Sequence, residues 1–432
     1  MSRVVNIQTL SDFDLTRISK ELQVEQKASK YAFNIKPNYL YLFDQEGENV
    51  YLPFSYSNDY PRPARNKFST RNIVFKGGLR EEQKQVKTEA IERLNSVGSV
   101  IIAAACGFGK TAMAIYIASK IKLKTLILCH RIVLIKQWEV SINKFCPTAK
   151  VKIVQKEEHL ENDADFYIMN ASNVSKIRRE AYRDIGLLCV DEAHIIMAEK
   201  LSQCMRFIVP RYVIGLSATP YRTDGLDVLI EMYFGKFKIE RKLFRKHTVY
   251  RLNTGFKPEV KMNKMGKVDW GSVLESQCLN KQRNELIINL VKRFKERTFL
   301  LLCKRVDQAK YLYSRLLEEK EDVTDLIGSK QDFEQSSRIL VGTVQKTGVG
   351  FDHPRLDSLV LASDVEQYFI QYLGRVFRCK ETEPIIFDIV DDYSLLLKHY
   401  RTRQAVYVEH GGLVKDFYKE FSDFPKINEL LC

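Results

Sequence analysis

The chain has 432 residues, 45% hydrophobic and 28% charged, a composition that excludes a disordered tail and a length that exceeds one ordinary core. Lysine and arginine outnumber aspartate and glutamate 68 to 54, and the formal charge of +14 favours polyanionic partners. The nine cysteines form no C-x-x-C pair, and neither the start of the chain nor any window carries the apolar run of a signal peptide or membrane span, so zinc, disulfides and a membrane are not expected and a soluble intracellular protein is.

Residues 1–75 differ in texture from the rest. The runs "YLYLFDQEG" and "NVYLPFSY" read as strands, and the basic, turn-rich stretch from Pro61 to Asn72 reads as a linker. A small N-terminal α+β accessory domain is expected there, either packed on its neighbour as a small sheet or offering Tyr39, Tyr41, Tyr51, Arg62 and Arg65 to nucleic acid. From residue 76 to about 240, the runs "SVIIAAA", "KTLILC", "VKIVQ", "DFYIMN", "IGLLCVDEAH" and "RYVIGLSAT" alternate with helix-like stretches. Alternation of this kind implies βαβ units around a parallel sheet covered on both faces. A second such series begins near residue 284, within a domain expected over residues 241–432, and the less regular connector from about Lys236 to Asn280 reads as extended because of Gly255, Pro258, Gly266 and Gly271. The predicted class is α/β, with two tandem parallel-sheet domains.

The octet "AACGFGKT" (Ala104, Ala105, Cys106, Gly107, Phe108, Gly109, Lys110, Thr111) fits the phosphate-loop pattern except that Ala104 replaces its first glycine. Gly107 and Gly109 permit the sharp turn that aims backbone N–H groups at phosphate oxygens, and a helix begins directly after them. In that setting Lys110 reaches the β and γ phosphates and Thr111 ligates Mg²⁺. The strand before "DEAH" delivers Asp191 to the carboxyl edge of the sheet, suited to Mg²⁺ through its water shell, with Glu192 placed to deprotonate water and His194 beside them. Ser217 and Thr219 end a third strand and suit a hydrogen-bonded link from the nucleotide to something beyond it. In the second series "ILVGTVQKTGVGFD" supplies Thr343, Gly348, Gly350 and Asp352. "QYLGRVFR" supplies Gln371, Gly374, Arg375 and Arg378, with the two arginines on one helix face as an arginine-finger pair.

The ordered set "LREEQ", "AACGFGKT", "LILCHRIVLIKQW", "DEAH", "LSATPYRTDG", "ILVGTVQKTGVGFD" and "QYLGRVFR" resembles the superfamily-two helicases and translocases over about residues 76–400. It looks closest to the XPB and UvsW branch, which includes poxvirus-type transcript-release helicases. That resemblance implies RecA-like domains, ATP and Mg²⁺ as cofactors, and DNA or RNA held by its backbone, moved 3′-to-5′ in transcription or repair; no oligomer is implied. It gives Gln83 an adenine contact, and it groups Gly350 and Asp352 with the nucleotide site and Gln371 with the catalytic set. Gln137 and Trp138 fall where the family has a nucleic-acid motif. Arg222 and Asp224 match the branch's Arg-x-Asp element, and Thr343 belongs to the coupling set. His130 and Arg131 stand where a Pro-Thr pair is common, and Tyr372 where many relatives carry a further arginine. A P-loop small-molecule kinase shares the loop and the acids but leaves the second series unexplained. A non-hydrolysing ATP-sensing clamp shares the fold and is separated by turnover, and a nuclease fusion lacks a metal-binding carboxylate cluster.

Overall fold

The computed structural model describes residues 2–26, 38–56, 59–105, 107–197, 203–218, 227–242, 244–330, 332–347, 353, 355–365, 369–379 and 381–430. The chain divides into two units, Met1–Arg241 and Lys242–Cys432. No helix among the described residues is long and apolar enough to cross a membrane.

In the first unit, strands Ser2–Asn6 (β1), Gln23–Gln26 (β2), Asn38–Tyr41 (β3), Asp44–Glu46 (β4) and Asn49–Pro53 (β5) make a three-stranded sheet of order β1-β5-β4 and a β2-β3 pair, all antiparallel. The helix Asp12–Glu21 starts at a reciprocal cap between Ser11 and Asp14. After these come Ser99–Ala104 (β6), Thr125–Cys129 (β7), Val151–Val154 (β8), Phe166–Asn170 (β9), Leu187–Val190 (β10), Tyr212–Ser217 (β11) and Lys238–Arg241 (β12). They form one wholly parallel sheet in the order β12-β6-β11-β10-β7-β9-β8. Every residue of β6, β7, β10 and β11 is buried. These strands therefore read as unbroken apolar runs, because helices cover both faces of the sheet. Gly215 on β11 lets Phe234 lie against the backbone, where a Cβ would sit 2.8 Å from the ring.

The N-terminal segment is built into this unit. Ile18, Leu22, Leu42, Leu52 and Phe54 share one apolar cluster with Leu229, Ile230, Tyr233 and Phe234. The Ser2 and Ser55 amides donate to the carbonyls of Ile208 and Met232 at 2.8 and 2.9 Å. Tyr51 lies under the Arg179 guanidinium, 3.9 Å from its ring centre, while Tyr39 and Tyr41 stay exposed. The stretch read as a linker is a strap. Arg62 donates to the carbonyls of Leu94, Asn95 and Ser96 at 3.0, 3.2 and 3.1 Å, the last turn of the helix Glu81–Ser96. Arg65 donates at 2.5 Å to Ile121, the last residue of the helix Lys110–Ile121. A cation at a helix C-terminus satisfies carbonyls that lack an intrahelical donor and opposes the negative end of the dipole.

The second unit contains His247–Asn253 (β13), Phe299–Cys303 (β14), Val323–Leu326 (β15), Ile339–Thr343 (β16), Ser358–Leu361 (β17), Ile385–Val390 (β18) and Gly412–Asp416 (β19), all parallel, in the order β15-β16-β14-β17-β18-β13-β19. The connector is more regular than its glycines suggested. It supplies β12, β13 and a helix, Trp270–Leu279, whose start is fixed by the Asp269 carboxylate accepting from the Gly271 amide at 2.9 Å. Buried ion pairs anchor the carboxyl ends of the strands in this unit. Arg403 makes a two-pronged contact with Asp388 at 2.9 and 2.8 Å and reaches Asp364 at 2.7 Å, and Arg283 grips Asp391 at 2.9 Å.

Arg62→Ala leaves three helix-end carbonyls without this donor. It is expected to lower stability by about 1–2 kcal/mol, read as a lower denaturation midpoint at unchanged m-value.

Candidate functional site

β6, β11 and β10 are neighbours in register, with Ala103 opposite Ser217 and Gly215 opposite Val190. The segments that leave them therefore emerge side by side at one carboxyl edge, the edge at which open α/β sheets bind ligands. Leaving β6, the backbone turns through Gly107 and Gly109, at φ of +87° and +86°, into the helix Lys110–Ile121. Only glycine adopts that left-handed conformation without strain. Lys110 folds back and donates to the Ala104 carbonyl at 2.7 Å. Cys106 lies outside the described residues.

The loop is held from outside by the start of the helix Glu81–Ser96. Gln83 accepts from the Arg80 amide at 2.9 Å and donates to the Phe108 carbonyl at 2.7 Å. Arg80 donates to the Gly107 carbonyl at 3.3 Å, also contacts the Phe108 carbonyl, and its guanidinium lies over the Phe108 ring. Arg80 was not among the residues singled out from sequence. The glutamine at the third position of the helix, which reaches back to the amide before it, was the available signal.

From β10, Asp191 enters the edge with a carboxylate that is 7% exposed. Its two oxygens accept from the Trp138 indole at 2.8 Å and from the Glu192 amide at 3.0 Å. Burial and the adjacent Glu192 charge push this acid above the ordinary carboxylate range, while the Trp138 bond and Lys110 pull the other way. Glu192 itself sits in the left-handed region at φ +49°, unusual for a residue with a Cβ. One of its buried oxygens has no hydrogen-bond partner among the described residues and lies 3.6 Å from His194. His194 pairs with the Ser217 hydroxyl at 2.8 Å and so joins the end of β10 to the end of β11. Among the described residues Lys110 is the lysine whose charge acts on Asp191. Carboxylate and hydroxyl oxygens, the atoms that Asp191 and Thr111 carry, are the donor type a hard divalent cation takes.

Placement of the other expected residues differs among them. Trp138, expected at a nucleic-acid contact, is 2% exposed and faces Asp191. The bulky indole on the helix Ile132–Phe145 fills the space beside β10, so its N–H serves the acid and not the surface. Gln137 on the same helix is half-buried. His130, at the end of β7, is pushed down to about 4, chiefly by burial and then by Arg131. In the second unit Thr343 ends β16, and Gln371 and Arg375 lie on the helix Phe369–Val376 and are buried. Arg378 lies in the turn beyond that helix, and the Tyr372 hydroxyl donates to the Val344 carbonyl at 2.8 Å. Thr219, Arg222, Asp224, Gly348, Gly350 and Asp352 lie outside the described residues.

Trp138→Phe keeps an aromatic ring, deletes the donor to a buried carboxylate and leaves part of the indole's volume unfilled. The expected cost is about 1–3 kcal/mol of stability, measured as a lower midpoint in urea.

Comparison with known proteins follows the same edge. The family described as "Type III restriction enzyme, res subunit" matches residues 76–222. Over 96% of this chain and 100% of the relative, the sequence is 41% identical to "Putative helicase 161L" of Invertebrate iridescent virus 6. It is 25% identical to the transcript termination protein A18 of Vaccinia virus, over 74% of this chain and 71% of that protein. A solved structure of a S. cerevisiae Dbp5 variant bound to RNA and ADP BeF3 superposes with a TM-score of 0.56 over 78% of this chain and 92% of that one, a likeness of fold at 14% identity. With tandem parallel-sheet units of RecA-like form and a full-length viral relative at this identity, the chain belongs to the superfamily-two helicases and has poxvirus transcript-termination proteins among its relatives.

Proposed function

We propose that the chain hydrolyses ATP at the carboxyl edge of the first unit's sheet and uses that turnover to move along or separate nucleic-acid strands. One observation carries the reading: three adjacent parallel strands bring the phosphate loop, the Asp191–Glu192–His194 run and Ser217 to one edge. Lys110 exchanges the Ala104 carbonyl for the nucleotide's β and γ phosphates, and the loop amides point at their oxygens. Thr111 and Asp191 hold Mg²⁺, which when bound neutralises phosphate charge. Trp138 fixes the direction of the Asp191 carboxylate, and Glu192 orients the attacking water and takes its proton. His194, bridging Glu192 and Ser217, carries the occupancy of the site to the segment after β11. Arg375 and Arg378 serve as arginine fingers on the transferring phosphate, an assignment that rests on the motif in the sequence.

The polynucleotide is held by its backbone, in keeping with the charge of +14, so affinity falls steeply with salt and depends little on sequence. The finer reading is a DEAH-type, XPB-like motor acting 3′-to-5′ on DNA in transcription or repair. A second reading is an ATPase, stimulated by nucleic acid, that remodels or releases transcripts or anneals strands without processive unwinding; its transcript-release part accords with the Vaccinia relative's name, a transcript termination protein.

Lys110→Ala and Glu192→Gln are each expected to lower kcat for ATP by about 100-fold or more, with folding preserved. Unwinding assays on DNA duplexes, RNA duplexes and DNA–RNA hybrids, with a 3′ or 5′ overhang, separate the two readings. Strand separation from a 3′ overhang on DNA supports the first, and ATP turnover without separation on any substrate supports the second. Turnover left intact by Glu192→Gln overturns the assignment of the base.

A further inference from the structure

We propose that the amino edge of the first unit's sheet, opposite the phosphate loop, binds a nucleic-acid backbone through Arg62, Arg65, Lys67, Lys120, Lys122 and Arg211. The site rests on the motor reading above for the class of its ligand, and it adds a contact with the polymer on the far side of the sheet from the nucleotide.

The six cations are brought together by the strap and by the ends of two helices. The helix Lys110–Ile121 starts at the phosphate loop, and its 12 residues at about 1.5 Å each carry the chain about 18 Å to the other edge. There Arg65 donates to the Ile121 carbonyl at 2.5 Å, between Lys120 and Lys122, and the Arg71 amide donates to the Lys122 carbonyl at 2.9 Å. Lys67 follows in the same short helical turn as Arg65. Arg211 donates to the Pro63 carbonyl at 2.6 Å, and Arg62 and Arg211 lie 5.8 and 5.3 Å from the centre of the Tyr212 ring, at the first residue of β11. Burial raises a phenol, yet the Arg211 and Arg65 guanidiniums beside it hold the Tyr212 hydroxyl below its ordinary range. Arg62 is held below the ordinary guanidinium range by burial and by the charge of Arg211.

This face lacks compensating acids. Residues 60–80 and 93–138 contain no aspartate or glutamate. The neighbouring Arg71 and Lys124 are paired with Asp163 and Asp184, whereas none of the six takes part in an ion pair among the described residues. Arg65, Lys67, Lys120 and Lys122 are exposed. A guanidinium carries five donors, so Arg65 and Arg211 are oriented by one backbone carbonyl each and retain N–H groups for phosphate oxygens. Tyr212, at the centre, is 5% exposed and offers no face for a base to stack on, so contact is to phosphates and insensitive to sequence.

The test measures binding of a labelled DNA strand, and of an RNA strand of the same sequence, to the full chain without nucleotide over a series of KCl concentrations. Lys67→Gln, Lys120→Gln and Lys122→Gln are combined in one chain, because these side chains are exposed, whereas Arg62 and Arg65 cap helices. The triple variant is expected to bind about 10-fold or more weakly at low salt, with a slope of log affinity against log salt shallower by about 2, and to keep the wild-type rate of ATP turnover without polymer. Unchanged affinity and slope overturn the site and leave the motor reading standing. An equal loss in a chain carrying Lys264→Gln, Lys310→Gln and Lys398→Gln, three exposed lysines of the second unit, reduces the effect to net charge and also overturns the site. Binding of labelled poly-glutamate as tight as that of the strands, and lost in the triple variant, assigns the face to an acidic protein instead. Absence of binding of either strand by the wild-type chain overturns the motor reading and the site with it.

Discussion

Burying two adjacent carboxylates at the end of one strand is the constraint on which the site depends. Ionised acids removed from water cost several kcal/mol each unless hydrogen bonds and opposite charges compensate. The protein compensates Asp191 with the Trp138 indole and the Glu192 amide, and it leaves one Glu192 oxygen without a hydrogen bond among the described residues. Glu192 also occupies a strained backbone conformation. Its backbone conformation is held between the sheet on one side and the His194–Ser217 pair on the other.

Around that edge the first unit is unusually tied. Its N-terminal sheet shares a core with the helix Asp227–Phe234, and the strap from Pro61 onward caps the helix after the phosphate loop and the helix before it. Arg65 at the end of the helix Lys110–Ile121 and the loop at its beginning hold one rigid element by both ends. The strap thereby braces the helix that follows the loop. In the second unit, Arg403 does comparable work, tying Asp364 and Asp388 at the carboxyl ends of neighbouring strands.

Much of this was legible in the sequence because strands buried on both faces must be continuously apolar, and because a strand followed by glycines and a lysine, or by two acids, has few structural reasons to exist. β6, β7, β10 and β11 stood out for that reason. The connector was misjudged because β13 is only half buried, and because Gly271 lies inside the first turn of a helix whose cap, Asp269, carries more weight than the glycine. The bonds of Trp138 and Arg62 were not legible for a different reason. Periodicity reports which face a side chain occupies, whereas the bonds to Asp191 and to the end of the helix Glu81–Ser96 span 53 and 32 or more residues of chain. Gln83 bonds the loop after β6, and its two partners come from a cap and a turn that only the folded backbone brings together.

The central claim is that this edge couples nucleotide chemistry to a polynucleotide. The most direct measurement is ATP turnover by the full chain at saturating Mg²⁺, with and without added single-stranded DNA, duplex DNA, RNA or hybrid. The account predicts a rate that rises with at least one of these polymers and loses that stimulation as salt is raised. A rate that is the same with every polymer and without any would contradict it.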